Sequence, residues 1–167
     1  LSTLGSPVTT QRRGLRRTHE FLQAFRVEQT DPCRLYTVMA HDVINTLSPH
    51  LDITGALVLD VGGGPGYVAE AFKSAGGICL TVDASLEELH LHGRSSQLAI
   101  VADGQLLPFS SGRFDIVHCS NVLEHVPYPQ QLLSELSRCC AANGLIYLSF
   151  TNWLSPWGGH ELSPWHY

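Results

Sequence analysis

Five short apolar runs recur from residue 56 onward, each separated from the next by a stretch too long to be a hairpin turn. They are Ala56 to Asp60, Ile78 to Val82 with Asp83 after it, Leu98 to Ala102 with Asp103 after it, Phe114 to Cys119, and Leu145 to Phe150. A strand with one wet face alternates apolar and polar residues. Runs apolar at successive positions mark strands covered on both faces, the habit of parallel sheets. Parallel neighbours need long crossovers, usually helical. Gly66 to Ala75 carries Ala69, Phe72 and Lys73 at helical spacing and stops at Gly76-Gly77. Ser85-Leu-Glu-Glu88 has the form of a capping box: the Ser85 hydroxyl takes the Glu88 amide and the Glu88 side chain reaches back. Pro129 to Cys140 is a helix with Leu132, Leu133, Leu136 and Cys140 on one side, closed by Asn143-Gly144. The expected fold class is α/β, a doubly wound, mostly parallel sheet. Right-handed crossovers set the ends of all five strands along one edge, where open α/β sheets bind ligands. Asp60, Asp83 and Asp103 end three of those strands.

Upstream, Asp31 reads as a helix N-cap with Pro32 at the first helical position. That helix runs to Leu47 and turns Leu35, Val38, Met39, Val43 and Leu47 toward the body. Thr18 to Val27 is a shorter helix with Phe21, Leu22 and Phe25 on one face. With 167 residues, no internal repeat and no low-complexity linker, one domain is expected. It divides into a basic, mobile arm over 1–17 and a single unit over 18–167. Within that unit lie N-terminal helices (18–50), a ligand-binding core (56–150) and an aromatic segment (151–167).

Composition narrows the class of function. Hydrophobic residues make up 44% and charged residues 15%, which excludes a disordered chain. The net charge of −5 is uneven, because Arg12, Arg13, Arg16 and Arg17 supply four of the ten basic residues. Without them, six basic residues face 15 acidic ones, a body at −9 that repels phosphate backbones. No duplex nucleic acid partner is expected. The arm reads as a solvated terminus, with contact to RNA or an anionic membrane as the other reading. No run reaches the roughly 18 apolar residues of a transmembrane segment, and the first residues lack the apolar stretch of a secretory signal. Cys33, Cys79, Cys119, Cys139 and Cys140 form an odd set without a C-x-x-C pair. They read as reduced thiols of a cytoplasmic protein. His90 and His92, two apart, face different sides of a helix, so no metal site is expected.

The segment from Val58 to Gly66 carries the most chemistry. Glycines after a strand let a ligand approach the backbone, since no Cβ intrudes. The helix behind them presents free amides and the positive end of its dipole. Two patterns compete. The nicotinamide fingerprint G-x-G-x-x-G needs a small residue where Tyr67 stands, and Pro65 interrupts the loop. The pattern D-x-G-x-G-x-G is met in full by Asp60, Gly62, Gly64 and Gly66.

From Leu57 to about Asn152 the chain resembles the class I S-adenosylmethionine-dependent methyltransferases, and within them the type 11 branch. The motifs that carry this are the glycine loop, Thr81-Val-Asp83-Ala-Ser85, Ala102-Asp103-Gly104 with Leu107-Pro108-Phe109, Phe114 to Val126, and Ala142 to Leu148, in that order. The resemblance implies a Rossmann-like fold, S-adenosylmethionine as cofactor and S-adenosylhomocysteine as product. It implies that Gly62, Gly63, Gly64 and Gly66 pass under the cofactor's sugar and amino-acid portion. Asp60 would act at the amino-acid end, order the loop by accepting its amides, or both. Asp83, with Ala84 beside it, would hold the ribose hydroxyls. Asp103 would take the adenine amino group, with Gly104 nearby, and Ser120 and Asn121 would line the methionine part. Each acid also has a plainer reading as a helix cap or loop-ordering residue. That fold normally continues past its fifth strand with a helix and an antiparallel strand pair. The chain is therefore expected to lack the last strands and, having no initiator Met, to be a fragment.

A sulfonium is already an activated methyl donor, so such an enzyme chiefly positions the acceptor in line and excludes water. His125, after the fourth strand, is the candidate general base where one is needed; its other reading is a histidine satisfied by nearby backbone. Glu124 reads as structural, its other reading being to help orient the cofactor's ammonium. The segment 151–167 holds all three tryptophans and two Ser-Pro-Trp repeats. It reads as packing that also walls an acceptor pocket. With the stretch from Arg26 to Pro32, it resembles a small group of uncharacterised bacterial methyltransferases. The chain lacks the Asn/Asp-Pro-Pro-Tyr signature, a Pro-Cys nucleophile after the fourth strand, and an acidic cluster for magnesium. The expected acceptor is therefore a small molecule or lipid-like. The rival reading is a cofactor-binding but catalytically silent module, a sensor or partner subunit.

Overall fold

Strand β1 (Leu57–Val61) is the middle strand of one parallel sheet, with a parallel neighbour on each side. The computed structural model describes residues 15–27, 30–94, 96 and 98–151. The sheet adds β2 (Ile78–Asp83), β3 (Ala99–Val101), β4 (Phe114–Ser120) and β5 (Cys140–Ser149) in the order β3-β2-β1-β4-β5, every pairing parallel. The order turns back between β1 and β4, the switch point where such sheets open a crevice. The expected doubly wound fold is the one observed.

Two layers cover the sheet. On one face, α2 (Pro32–Leu47) and α3 (Tyr67–Ser74) bring Val43, Leu47, Ala69 and Phe72 onto Val58, Cys79 and Ile116. On the other, α5 (Pro129–Cys139) brings Leu132, Leu136 and Cys139 onto Leu59, Val61, Val82, Val117 and Cys119. The expected N-cap of α2 is present: Asp31 accepts from the Arg34 amide at 3.2 Å, with Pro32 at the first position.

The structure corrects several local expectations. The first helix, α1 (Leu15–Arg26), starts before Thr18, and its buried residue is Ala24, while Leu22 and Phe25 are exposed. Arg17 is therefore no part of a mobile arm: its guanidinium pairs with Asp42 of α2. Residues 1–14, with the other arginines of that arm except Arg16, lie outside the described residues, as do 152–167 of the aromatic segment. In α5 the buried thiol is Cys139 rather than Cys140, and Leu133 points outward. Cys140 already belongs to β5, and Asn143-Gly144 sits inside that strand rather than closing the helix. There the register shifts from Phe114–Cys140 to Ile116–Leu145. Gly144 is required at the bulge, since a Cβ would lie 2.8 Å from the Asp115 carbonyl.

The capping box forms only by half. Ser85 accepts from the amides of Glu87 and Glu88 at the start of α4 (Leu86–Leu89), but its own amide donates to Asp83 Oδ1 at 3.0 Å. The acid two residues earlier claims the donor that Glu88 was expected to reach, as Asx turns do.

Candidate active site

A cleft of about 790 Å³ opens above the carboxyl ends of the strands, walled by the glycine loop, α1, α2 and the segments after β3 and β4. Asp60, Gly62, Gly63, Gly64, Asp83, Ala84, Asp103, Gly104, Ser120, Asn121 and His125 all line it. Gly66 does not. It caps α3 in the left-handed region (φ 79°), and a Cβ there would lie 3.0 Å from Ser96 Cβ, away from the cleft lining.

The loop takes its shape from close approach. Gly62 has φ 71°, and a Cβ there would lie 2.1 Å from Val122 Cγ2. At Gly63 a Cβ would lie 2.2 Å from Asp60 Oδ2 and 2.7 Å from Thr81 Cγ2. The amides of Gly62 and Gly63 both reach the Val82 carbonyl, at 2.7 and 3.4 Å, tying the loop to β2.

Asp83 and Asp103 accept from backbone amides, whereas Asp60, expected to order the loop in the same way, takes a side chain instead. Asp83 Oδ2 accepts from the Gly64 amide at 3.1 Å while Oδ1 takes Ser85. Asp103, which is exposed, accepts from the Gln105 amide at 2.8 Å. Asp60 is fully buried, and its Oδ1 lies 2.7 Å from His118 Nδ1. Ser120 meets Ser149 through their hydroxyls, and Asn121 holds a left-handed φ of 55° as the chain leaves β4. His125 is exposed on the cleft wall. Glu124 has a structural contact, accepting from the Thr151 amide at 2.9 Å.

Sequence reasoning missed half of the cleft wall. Phe21, Met39, Val43 and the Arg17–Asp42 pair come from α1 and α2, and Tyr147 and His118 from the sheet. The one signal for His118 is an imidazole inside an apolar strand. Tyr67 stacks on Tyr36 with centroids 5.4 Å apart, and its hydroxyl contacts Cys33 Sγ at 2.9 Å and His92 Nδ1 at 3.0 Å. Burial, then the Cys33 hydrogen bond, pushes the Tyr67 phenol up to about 12. Tyr67 thus packs toward α2, whereas the dinucleotide fingerprint wants a small residue there for close helix–strand packing. Burial also raises the Cys79 and Cys119 thiols, Cys119 to about 12, so neither supplies a thiolate near neutral pH. Among the described residues no group of three or more His, Cys, Asp or Glu side chains is placed to hold a metal ion, and no helix is long and apolar enough to cross a membrane.

Fold and site together define an α/β domain of the class I methyltransferase type: an open parallel sheet, a glycine loop after the first strand, and acids at the ends of the first three. The chain belongs to the family described as the methyltransferase domain, whose model matches residues 59–148. An uncharacterized methyltransferase of Mycobacterium tuberculosis is 41% identical over 170 residues, covering 96% of this chain and 67% of the relative. Among solved structures, a candidate S-adenosyl-L-methionine-dependent methyltransferase of Methanococcus maripaludis aligns with a TM-score of 0.58. It is 16% identical and covers 84% of this chain and 66% of that one. The YcgJ protein of Bacillus subtilis aligns with a TM-score of 0.56 at 23% identity, covering 65% of this chain and 48% of that one. These two likenesses establish the fold. The chain spans about half the length of the Bacillus protein it matches.

Proposed function

We propose that the cleft binds S-adenosylmethionine and that the protein transfers the cofactor's methyl group to a small-molecule or lipid-like acceptor by in-line displacement. The observation that carries this reading is the row of Asp60, Asp83 and Asp103 at the ends of three adjacent strands, facing one cleft beside a glycine-rich loop. The residues fit the group. The cleft volume lies within the roughly 300–1,000 Å³ of small-ligand sites. Asp83 spends one lone pair of each oxygen on the backbone and keeps others for the ribose hydroxyls. Asp103 and Gly104 would hold the adenine, with Ala84 beside the ribose. Gly62, Gly63 and Gly64 would lie under the sugar and amino-acid portion, Asp60 at its ammonium, and Ser120 and Asn121 along the methionine part. Gly66 would serve that loop from outside, by starting α3.

When bound, the cofactor supplies a methyl group already activated on a sulfonium. The chain's own part is to orient the acceptor and keep water out. Phe21, Met39 and Val43 give the α1–α2 side of the cleft an apolar wall suited to an apolar acceptor. His125, exposed on the opposite wall, would take a proton from an acceptor that must lose one. Five free cysteines support a reducing, cytoplasmic setting.

The test is transfer of label from methyl-labelled S-adenosylmethionine to a fractionated bacterial extract. Label in the small-molecule or lipid fraction, dependent on the protein, is the expected result. No labelled fraction, from a protein that binds the cofactor, would replace the enzyme with a silent binding module.

A further inference from the structure

One register position of the sheet is polar on four adjacent strands. Thr81 of β2 lies opposite Asp60 of β1, Asp60 opposite His118 of β4, and His118 opposite Tyr147 of β5. The position two residues lower is apolar throughout: Cys79, Val58, Ile116 and Leu145. The position two residues higher on β4 and β5 is the cleft rim, at Ser120 and Ser149. The polar row therefore lies just under the cleft floor.

Thr81 and Asp60 are fully buried and His118 is 2% exposed. Among the described residues, four buried side-chain atoms have no hydrogen-bond partner, and three are in this row: Asp60 Oδ2, Thr81 Oγ1 and His118 Nε2. A core built for stability alone does not leave such atoms unmatched. Asp60 Oδ1 is taken by His118. A carboxylate only accepts, so Nδ1 carries the proton and donates. Held this way, Asp60 places Oδ2 in the space that a Cβ on Gly63 would fill.

We infer that His118 is a positioning residue for the cofactor: its hydrogen bond to Oδ1 turns Asp60 Oδ2 toward the glycine loop, where the cofactor's ammonium would meet it. This rests on the reading of the cleft as an S-adenosylmethionine site. Of the charged and titratable groups around the pair, Tyr147 stacks on the imidazole with centroids 5.1 Å apart. The Cys79 and Cys119 thiols act on Asp60 from β2 and β4 and stay neutral. Arg17, which acts on Tyr147 from α1, is balanced by Asp42 of α2.

The experiment is calorimetric titration of the full chain with S-adenosylhomocysteine, which carries the same ammonium, and with an analogue of it that lacks the amino group. His118→Asn can still donate to Asp60 and should bind S-adenosylhomocysteine within about threefold of wild type. His118→Phe cannot donate and should bind it about tenfold more weakly, while binding the analogue as wild type does; if it fails to fold, His118→Leu takes its place. Equal binding of S-adenosylhomocysteine by wild type and the non-donating variant overturns the inference, and so does an equal loss for the analogue. No binding of S-adenosylhomocysteine by wild type overturns the cofactor reading beneath it.

Discussion

Asp83 illustrates how one side chain can order a loop and still have room for a ligand. Its two oxygens anchor the amides of Gly64 and Ser85, so the acid draws the loop after β1 toward the start of α4. A carboxylate has about four lone-pair sites, so these two bonds do not compete with a ligand. Loop-ordering thus leaves the same acid free for the ligand-holding role proposed for it. Gly63 is the more demanding position, because the space its side chain would need is occupied by Asp60 and Thr81. Gly63→Ala should lower stability by about 1–3 kcal/mol, as overpacking of a buried site does. It should weaken S-adenosylhomocysteine binding more than tenfold, as the loop shifts off Asp60. Thermal unfolding and titration of the variant check this; unchanged values in both would show that the loop has slack to spare.

At the scale of elements, α5 separates what a periodic pattern can tell from what it cannot. Leu132, Leu136 and Cys139, spaced by four and three, face the sheet, while Leu133 is 41% exposed. The spacing shows a stripe, but the helix's tilt on the sheet decides which edge of the stripe is packed. Leu132→Ala should cost about 2–5 kcal/mol, the range for a buried leucine. Leu133→Ala should stay within about 1 kcal/mol. Denaturant unfolding of the pair checks it, and similar losses would contradict the packing. The strands were legible because both their faces are apolar, and their ends agree with the apolar runs to within a residue or two at four of the five. The fifth was misjudged because α5 passes into β5 with no intervening loop, so Asn143-Gly144 looks like a helix stop when it is a bulge. In α1, three large apolar residues suggested the buried face, yet small Ala24 takes it.

For the whole molecule, the legible part of the site is what lies at the strand ends: the glycine loop and the three acids stand next to the runs that define the fold. The rest depends on long-range assembly. Nothing in the linear order connects residues 60, 81, 118 and 147; only the register of four strands sets them side by side. The wall from α1 and α2 is equally hidden, because amphipathic helices announce a packed face but not the cleft beside it. The central claim is that this assembly holds S-adenosylmethionine, and calorimetry of the full chain with S-adenosylmethionine, S-adenosylhomocysteine and NAD tests it most directly. The account predicts binding of the first two and none of NAD, with Asp83→Ala weakening both by about 1–3 kcal/mol, the range for charged hydrogen bonds. Tight NAD binding with neither methionine-derived ligand bound would contradict it.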